Sequence, residues 1–149
     1  MKPKVRSVVR AFAIIVTCSC LYSADLLAGS TIGKLFIKAT TSGGGDGQQQ
    51  FVDPELEECV QLMQKRPGDF ILVEKESEAN YLLVVVKREQ QHVTDQPDDK
   101  IVYADFYLKD GDGWKLGTKL SKKTIFWNLS SRDVVAAAEK WVKRNFPQK

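Results

Sequence analysis

The 149-residue sequence contains very little histidine and cysteine, with one His and three Cys in the whole chain. A single imidazole excludes a histidine-rich metal site within one chain, and any Ser-His-Asp or Cys-His catalytic group would have to use His92. His92 lies in a polar stretch, residues 89–95, so we interpret it as a solvated loop histidine. The chain also lacks the G-x-S-x-G motif of serine hydrolases and the Gly-Lys-Ser/Thr ending of a phosphate-binding loop. The sequence therefore predicts no enzyme, cofactor or metal site.

Apolar runs of about 20 residues, the length that crosses a bilayer as a helix, are absent as well. The N-terminus instead has four basic residues within residues 1–10, an apolar stretch at 11–21, and small residues from Ser23 to Gly29. This is the pattern of a bacterial-type secretory signal peptide, and we predict cleavage near residues 24–28. Residues 29–149 then form one exported domain, periplasmic or extracellular.

A lipid-modified cysteine at the new N-terminus is the alternative form of export. Cys18 follows Ile-Val-Thr, a poor match to the Leu-containing lipobox that precedes such a cysteine, and Cys20 matches it less well. Membrane contact is predicted only if Cys18 carries the lipid, in which case the protein is a membrane-anchored lipoprotein.

Net positive charge disappears together with the signal segment. The whole chain has 22 basic and 19 acidic residues, and removing residues 1–24 takes away four basic residues, which leaves 18 basic against 19 acidic. A near-neutral mature domain gives no support to nucleic-acid binding. Only Cys59 remains after cleavage at 24–28, so the domain forms no internal disulfide.

The first half of the mature sequence predicts a strand, a helix and a second strand. Residues 33–39 form a short apolar run typical of a strand, and a polar, Gly-rich loop follows at 40–50. Asp53 is a good helix N-cap, Pro54 suits the first helical position, and the helix ends at Pro67-Gly68. Residues 70–73 form the next strand.

The second half predicts a run of strands. The continuous apolar run 80–86 suits a central strand covered on both faces, the second face in part by a partner. Residues 101–109 alternate, and residues 110–113, Asp-Gly-Asp-Gly, form a hairpin turn. In the strand after the turn, the residues expected to share one face are Trp114, Leu116, Thr118 and Leu120. Residues 125–127 either extend this sheet or form a short strand.

A second helix is predicted over residues 133–146, with Ser130 or Ser131 as its cap and one apolar side. The element order β-α-β-β-β(β)-α indicates an α/β (α+β) two-layer sandwich. Its sheet is mixed, with four or five strands, and two helices cover one face.

Three aromatic residues are the candidate ligand-binding residues. Tyr103 and Tyr107 share one side of the alternating strand, and Trp114 opens the next strand. They are predicted to line a surface for a sugar or peptide, although cross-strand aromatic pairs are at least as often simple sheet packing.

The other polar features receive structural interpretations. Cys59 lies on the apolar stripe of the first helix beside Glu58, which raises the pKa of a thiol, so a buried structural thiol is predicted. The glycine-rich residues 43–47 precede an acidic helix start that would repel phosphate, so we interpret them as a flexible loop. The acidic group Asp95, Asp98 and Asp99 is of a kind that can bind a cation weakly, but we interpret it as a solvated loop, the default for such a charged group. Residues 110–113 fit a tight turn better than a calcium loop.

Residues 78–85, Glu-Ala-Asn-Tyr-Leu-Leu-Val-Val, carry a short "A-[DN]-Y-x-L" motif that opens an apolar strand after a helix and a short strand. This arrangement resembles small exported bacterial domains found in curli-secretion-channel-like lipoproteins and in the N-terminal domain of the Tol-system propeller protein. The likeness spans Lys34 to about Phe146 in element order. It implies a mixed-sheet α/β domain for assembly and binding in the cell envelope, and it assigns no site residues.

The sequence thus favours a non-catalytic exported envelope domain that binds another envelope protein through a sheet edge or a helix face. A small-ligand-binding periplasmic module that uses Tyr103, Tyr107 and Trp114 is the alternative. A small hydrolase is the third hypothesis, and it would depend on His92 or on a carboxylate pair such as Asp105 with Asp110.

Overall fold

The structure is a computed structural model that describes residues 31–42 and 51–147. The predicted signal segment, Cys18 and the glycine-rich residues 43–47 lie outside the described residues. In chain order, the α-helices and strands are β1 (Gly33–Ala39), β2 (Thr41–Ser42), β3 (Phe51–Val52), α1 (Pro54–Gln64), β4 (Phe70–Leu72), β5 (Tyr81–Gln91), β6 (Asp99–Asp110), β7 (Gly113–Thr124) and α2 (Trp127–Asn145). A single 3-10 turn, Glu76–Glu78, lies between β4 and β5.

Five strands form one mixed sheet in the order β4-β1-β5-β6-β7. Strand β1 pairs in parallel with both β4 and β5, whereas β5, β6 and β7 form an antiparallel meander. The predicted α/β fold with a mixed sheet and two helices is confirmed. The two-residue strands β2 and β3, which pair with each other, were not expected from the sequence.

Both helices cover the same face of the sheet. Helix α1 packs on β1 and β5, and α2 packs on β6 and β7 and against α1. The core between the layers includes Leu83, Val85 and Phe106, each 0% exposed. Burying a side chain of this size contributes about 1.5–3 kcal/mol, so this layer contact stabilises the domain.

Helix α1 begins where its capping residues predict. The Asp53 carboxylate accepts the backbone N–H of Glu55 at 2.9 Å, and Pro54 occupies the first turn. The apolar stripe faces the core, with Leu56, Cys59, Val60 and Met63 all buried.

Helix α2 begins at Trp127 rather than near residue 133, so the predicted Ser130 or Ser131 cap is wrong. Both serines lie inside the helix and are buried. Residue Phe126 takes the cap position without a side-chain bond, and the Thr124 hydroxyl accepts the Phe126 N–H at 3.2 Å instead. Residues 125–127 therefore form no separate strand, because β7 ends at Thr124 and the helix follows at once.

Strands β5 and β6 extend well beyond their apolar segments. Polar residues up to Gln91 continue β5, because they pair with the first half of β6 in a long hairpin. The predicted tight turn joins β6 to β7. There Asp110 pairs with Gly113, and Gly111 has a φ of +57°, which suits glycine at the first central position of a type II′ turn.

A bulge in β7 changes which residues share a face. Trp114 pairs with Lys109 and Leu116 with Tyr107, whereas Thr118 pairs with Phe106. Directly opposed residues point to the same side of a sheet, so the prediction that residues 114, 116, 118 and 120 share one face is wrong. The register shifts at Gly117, which is where an inserted residue reverses the alternation.

Candidate functional site

The three predicted aromatic residues lie on the face of the sheet opposite the helices, called here the helix-free face. Tyr103 and Tyr107 alternate outward from β6, and the bulge brings Trp114 of β7 to the same side. Tyr103 and Tyr107 are four residues apart on one strand, or about 14 Å, and Trp114 lies further along. They share a face but spread along it.

Each of these aromatic groups has its own partner within the domain. The Tyr103 hydroxyl donates to Glu89 Oε2 at 2.8 Å, and this bond raises the pKa of the phenol. The Trp114 indole N–H donates to Glu76 Oε1 at 2.9 Å. Tyr103 lines a shallow groove of about 230 Å³ whose lining includes neither Tyr107 nor Trp114. The structure thus places the three residues on one surface without gathering them around one cavity.

The titratable residues considered for catalysis are not brought together. The His92 side chain is 82% exposed, and its Nδ1 lies 2.8 Å from Asp98 Oδ1, a contact that lowers the pKa of this carboxyl group. Asp105 points to the helix-free face, and Asp110 lies at the hairpin turn at the end of the strand. Within residues 31–42 and 51–147, no group of three or more His, Cys, Asp or Glu side chains is arranged to hold a metal ion.

Cys59 is buried, as predicted. Burial raises the pKa of its thiol, and this effect outweighs the opposite influence of nearby Ser131 and Arg88. A protonated, inaccessible thiol is a poor nucleophile, so Cys59 contributes to packing.

The outer edge of β7 has no strand partner in the described part of the chain. This strand has 12 residues, lies last in the sheet order, and pairs on one side only among the described residues. At the opposite end of the sheet, β4 has only 3 residues. Because an unpaired strand edge presents a row of free N–H and C=O groups, β7 is the better acceptor for another strand.

A groove runs between β7 and the adjoining side of α2, and we call it the edge groove. It has a volume of about 470 Å³, and its lining includes Leu120, Lys122, Ala137, Lys140, Trp141 and Arg144. Leu120 and Trp141 form its apolar floor, whereas three side chains are cationic. Asp133, the one acidic residue that lines it, is already paired with Arg132 at 2.8 Å.

The edge groove was not predicted from the sequence. Its helix residues recur at 133, 136, 137, 140, 141 and 144, which is a helical stripe that adjoins the apolar side of α2. The prediction divided this helix only into an apolar and a polar side, and the stripe lies where the two sides meet. The high lysine content of β7 was the feature of the sequence that could have indicated a charged groove at this edge.

None of the helices in the described ranges is long and apolar enough to cross a membrane. The lipid-anchor alternative rests on Cys18, which lies outside these ranges.

Several solved structures resemble this chain distantly. No protein-family profile matches it, and no curated protein matches it. A dodecameric PelC variant from Paraburkholderia phytofirmans is 10% identical, with a TM-score of 0.38 over 74% of this chain and 90% of that one. A DUF330 protein from Xanthomonas campestris is 10% identical, with a TM-score of 0.38 over 75% of this chain and 83% of that one. A minor lipoprotein from Acinetobacter baumannii is 11% identical, with a TM-score of 0.34 over 75% of this chain and 91% of that one.

These likenesses are too remote to assign a family or a function. They also do not confirm the particular resemblance to curli-secretion-channel-like lipoproteins or to the Tol-system propeller protein.

Proposed function

We propose that this protein is a non-catalytic, exported envelope domain that binds a partner protein by accepting a strand at the outer edge of β7. One observation carries the proposal: a 12-residue strand closes the sheet with its outer side unpaired among the described residues. Strand addition uses such an edge for main-chain hydrogen bonds and uses neighbouring pockets for side chains.

The second half of β7, residues 118–124, is the best acceptor within this strand. Its inner side pairs in unbroken register with residues 100–106 of β6, whereas the bulge at Gly117 interrupts the first half. Bulges twist an edge and obstruct further pairing, so an incoming strand is expected to avoid that point.

The competing functions have less support. A ligand site at Tyr103, Tyr107 and Trp114 would need these residues around one concavity, and their polar groups already bond to Glu89, Asp105 and Glu76. A hydrolase would need His92 or a carboxylate pair at a shared site, and both are spread over the surface. The export part of the proposal rests on the signal pattern at residues 1–28.

Site-specific photo-crosslinking in the exporting cell tests this function. A photoreactive amino acid replaces Ser121 or Lys119 on β7, and the matched controls carry it at Glu57 or Gln61, which are exposed on α1. The expected result is one discrete adduct with another envelope protein from the β7 positions and none from α1. Sequencing of the purified protein's N-terminus is expected to find a first residue between 25 and 29.

Equal crosslinking from β7 and α1, or no adduct from β7, would contradict the proposal. An adduct from Tyr103 or Tyr107 alone would move the binding surface to the helix-free face. An intact N-terminus in cytosolic protein would refute export.

A further inference from the structure

We propose that the segment accepted by β7 is acidic, with carboxylate side chains at alternate positions that enter the edge groove. This inference rests on the proposed function, because the groove becomes a side-chain pocket only when a strand lies beside β7.

The charge of β7 is the first reason. The strand contains four lysines and no acidic residue. Of these, Lys123 pairs with Asp99 at 3.0 Å, whereas Lys115, Lys119 and Lys122 form no ion pair within the described ranges. Lysines on an edge strand oppose pairing with ordinary strands, so a stable partner must compensate their charge. An acidic strand does so, and a neutral or basic strand does not.

The position of the edge groove is the second reason. Helix α1 lies on the β1 side of the sheet, so the opposite side of α2 faces the β7 edge. A strand added to β7 would lie about 4.8 Å beyond it, and every second side chain would point toward that side of α2. Ala136 and Ala137 are small and leave room there. The apolar floor of Leu120 and Trp141 would contact the stems of the incoming side chains.

The spacing of the cations is the third reason. Lys140 and Arg144 are four residues apart on α2, a rise of about 6 Å along the helix. Alternate side chains of an extended strand are about 6.8 Å apart, which matches this spacing closely. Neither cation forms an ion pair among the described residues, and the Arg144 guanidinium suits two-point recognition of a carboxylate. A partner segment with acidic residues at i and i+2 meets both cations.

A second copy of this chain is a poorer occupant than a separate protein. The opposite sheet edge is β4, which has only 3 residues, and Asp69 just before it is already paired with Lys143 at 2.6 Å. Such a short strand would leave most of the 118–124 edge unpaired. The geometry therefore points to a longer, acidic, extended segment of another protein.

Titration with designed peptides tests this inference. The probe is a nine-residue peptide in which glutamate alternates with valine and threonine, and its controls replace every Glu by Gln or place all Glu residues together. Binding is followed by calorimetry and by backbone amide shifts. The expected shifts fall on residues 118–124 and on α2 from 133 to 144, and the Gln peptide binds at least about tenfold more weakly.

Charge reversal in the protein gives the matched comparison. The double variant K140E/R144E is expected to bind the glutamate peptide at least about tenfold more weakly than the parent protein does. The control K65E/R66E makes the same change in charge at exposed residues that follow α1, and it is expected to bind like the parent protein. Thermal unfolding of both variants verifies that they are folded.

Each outcome decides the inference. Equal binding of the Glu and Gln peptides, equal loss in both double variants, or amide shifts elsewhere would overturn it. Binding of anionic lipid vesicles, with no binding of the peptide, would reassign the cations to a membrane surface. If K140E/R144E still forms the Ser121 adduct at the parent level, the partner strand is not selected by acidity but the proposed function stands. If no adduct forms from Ser121 in the parent protein, the proposed function itself fails.

Discussion

Replacing Arg88 by methionine is expected to destabilise the domain by about 1–4 kcal/mol, because this one side chain connects β5 with both helices. Its guanidinium donates to Glu55 at 2.9 Å and to Glu58 at 2.8 Å on α1, and it lies 4.6 Å from the Trp127 ring at the start of α2. Burial acts to lower the pKa of Arg88, but hydrogen bonds to the two glutamates outweigh it and raise this pKa.

The magnitude follows from the separate contacts. The glutamates are more than half exposed, so each ion pair contributes about 0.2–1 kcal/mol. The Arg88 side chain is only 13% exposed, so its contact with Trp127 adds about 0.5–2 kcal/mol. Methionine retains most of the apolar stem, which limits the loss to these polar terms.

Urea and thermal unfolding of R88M measure the change, with R66M as the control. Arg66 is exposed, and its side chain forms no ion pair in the described structure, so R66M is expected to stay within about 0.5 kcal/mol of the parent. A fall in Tm of about 4–16 °C is expected for R88M. High salt should weaken the ion-pair part of the effect and leave the ring contact. If R88M and R66M unfold alike, Arg88 does not connect the helices to the sheet as described.

Two further predictions concern adjacent serines and an acid-sensitive ion pair. S130A is expected to cost about 1–3 kcal/mol, because the buried Ser130 hydroxyl donates to the Lys100 carbonyl at 2.6 Å. S131A should cost less, because among the described residues the buried Ser131 hydroxyl meets no oxygen or nitrogen partner and interacts only with the weakly bonding Cys59 thiol. Equal losses in urea unfolding would contradict this difference. The hydrogen bond from Lys143 holds the pKa of Asp69 below its usual value near 4. The stability that this ion pair contributes is therefore fully present above about pH 4, and it is lost as the pH falls through the lower pKa of the folded state. D69N should therefore lose stability near neutral pH but show a shallower fall in stability as the pH drops below about 4. Parallel pH profiles for D69N and the parent would refute this.

Much of the fold could be predicted because several elements carry local signals. Asp53 and Pro54 specify the start of α1, and the turn at 110–113 joins two alternating strands. These signals depend on backbone chemistry within a few residues, so they do not need tertiary contacts to be recognised.

The start of α2 could not be predicted in the same way. Phe126 is a poor capping residue, and the Thr124 hydroxyl at the end of β7 accepts the N–H of Phe126 itself rather than an amide of the first helical turn. Polar residues 87–91 continue β5 because bonds such as Tyr103 to Glu89 satisfy them across the hairpin. Such pairing is visible only after the strands are brought together.

The site differs from the prediction for a related reason. A glycine within a strand is a known signal of a bulge, and Gly117 was the clue that Trp114 and Thr118 lie on opposite faces. The predicted sheet edge is present as a structural feature, whereas the edge groove depends on how α2 is placed over β7. That placement follows from long-range packing of α2 against β6 and α1, which no local pattern encodes.

Amide hydrogen exchange of the domain bound to the partner captured through Ser121 measures directly whether β7 accepts a strand. Added strands bond to alternate residues of an antiparallel or parallel neighbour, so protection should appear at every second amide within residues 118–124. The amides of α1 should exchange at the same rates in free and bound protein. Protection confined to α1 or to the helix-free face, or no change in β7, would show that this domain does not accept a strand at its edge.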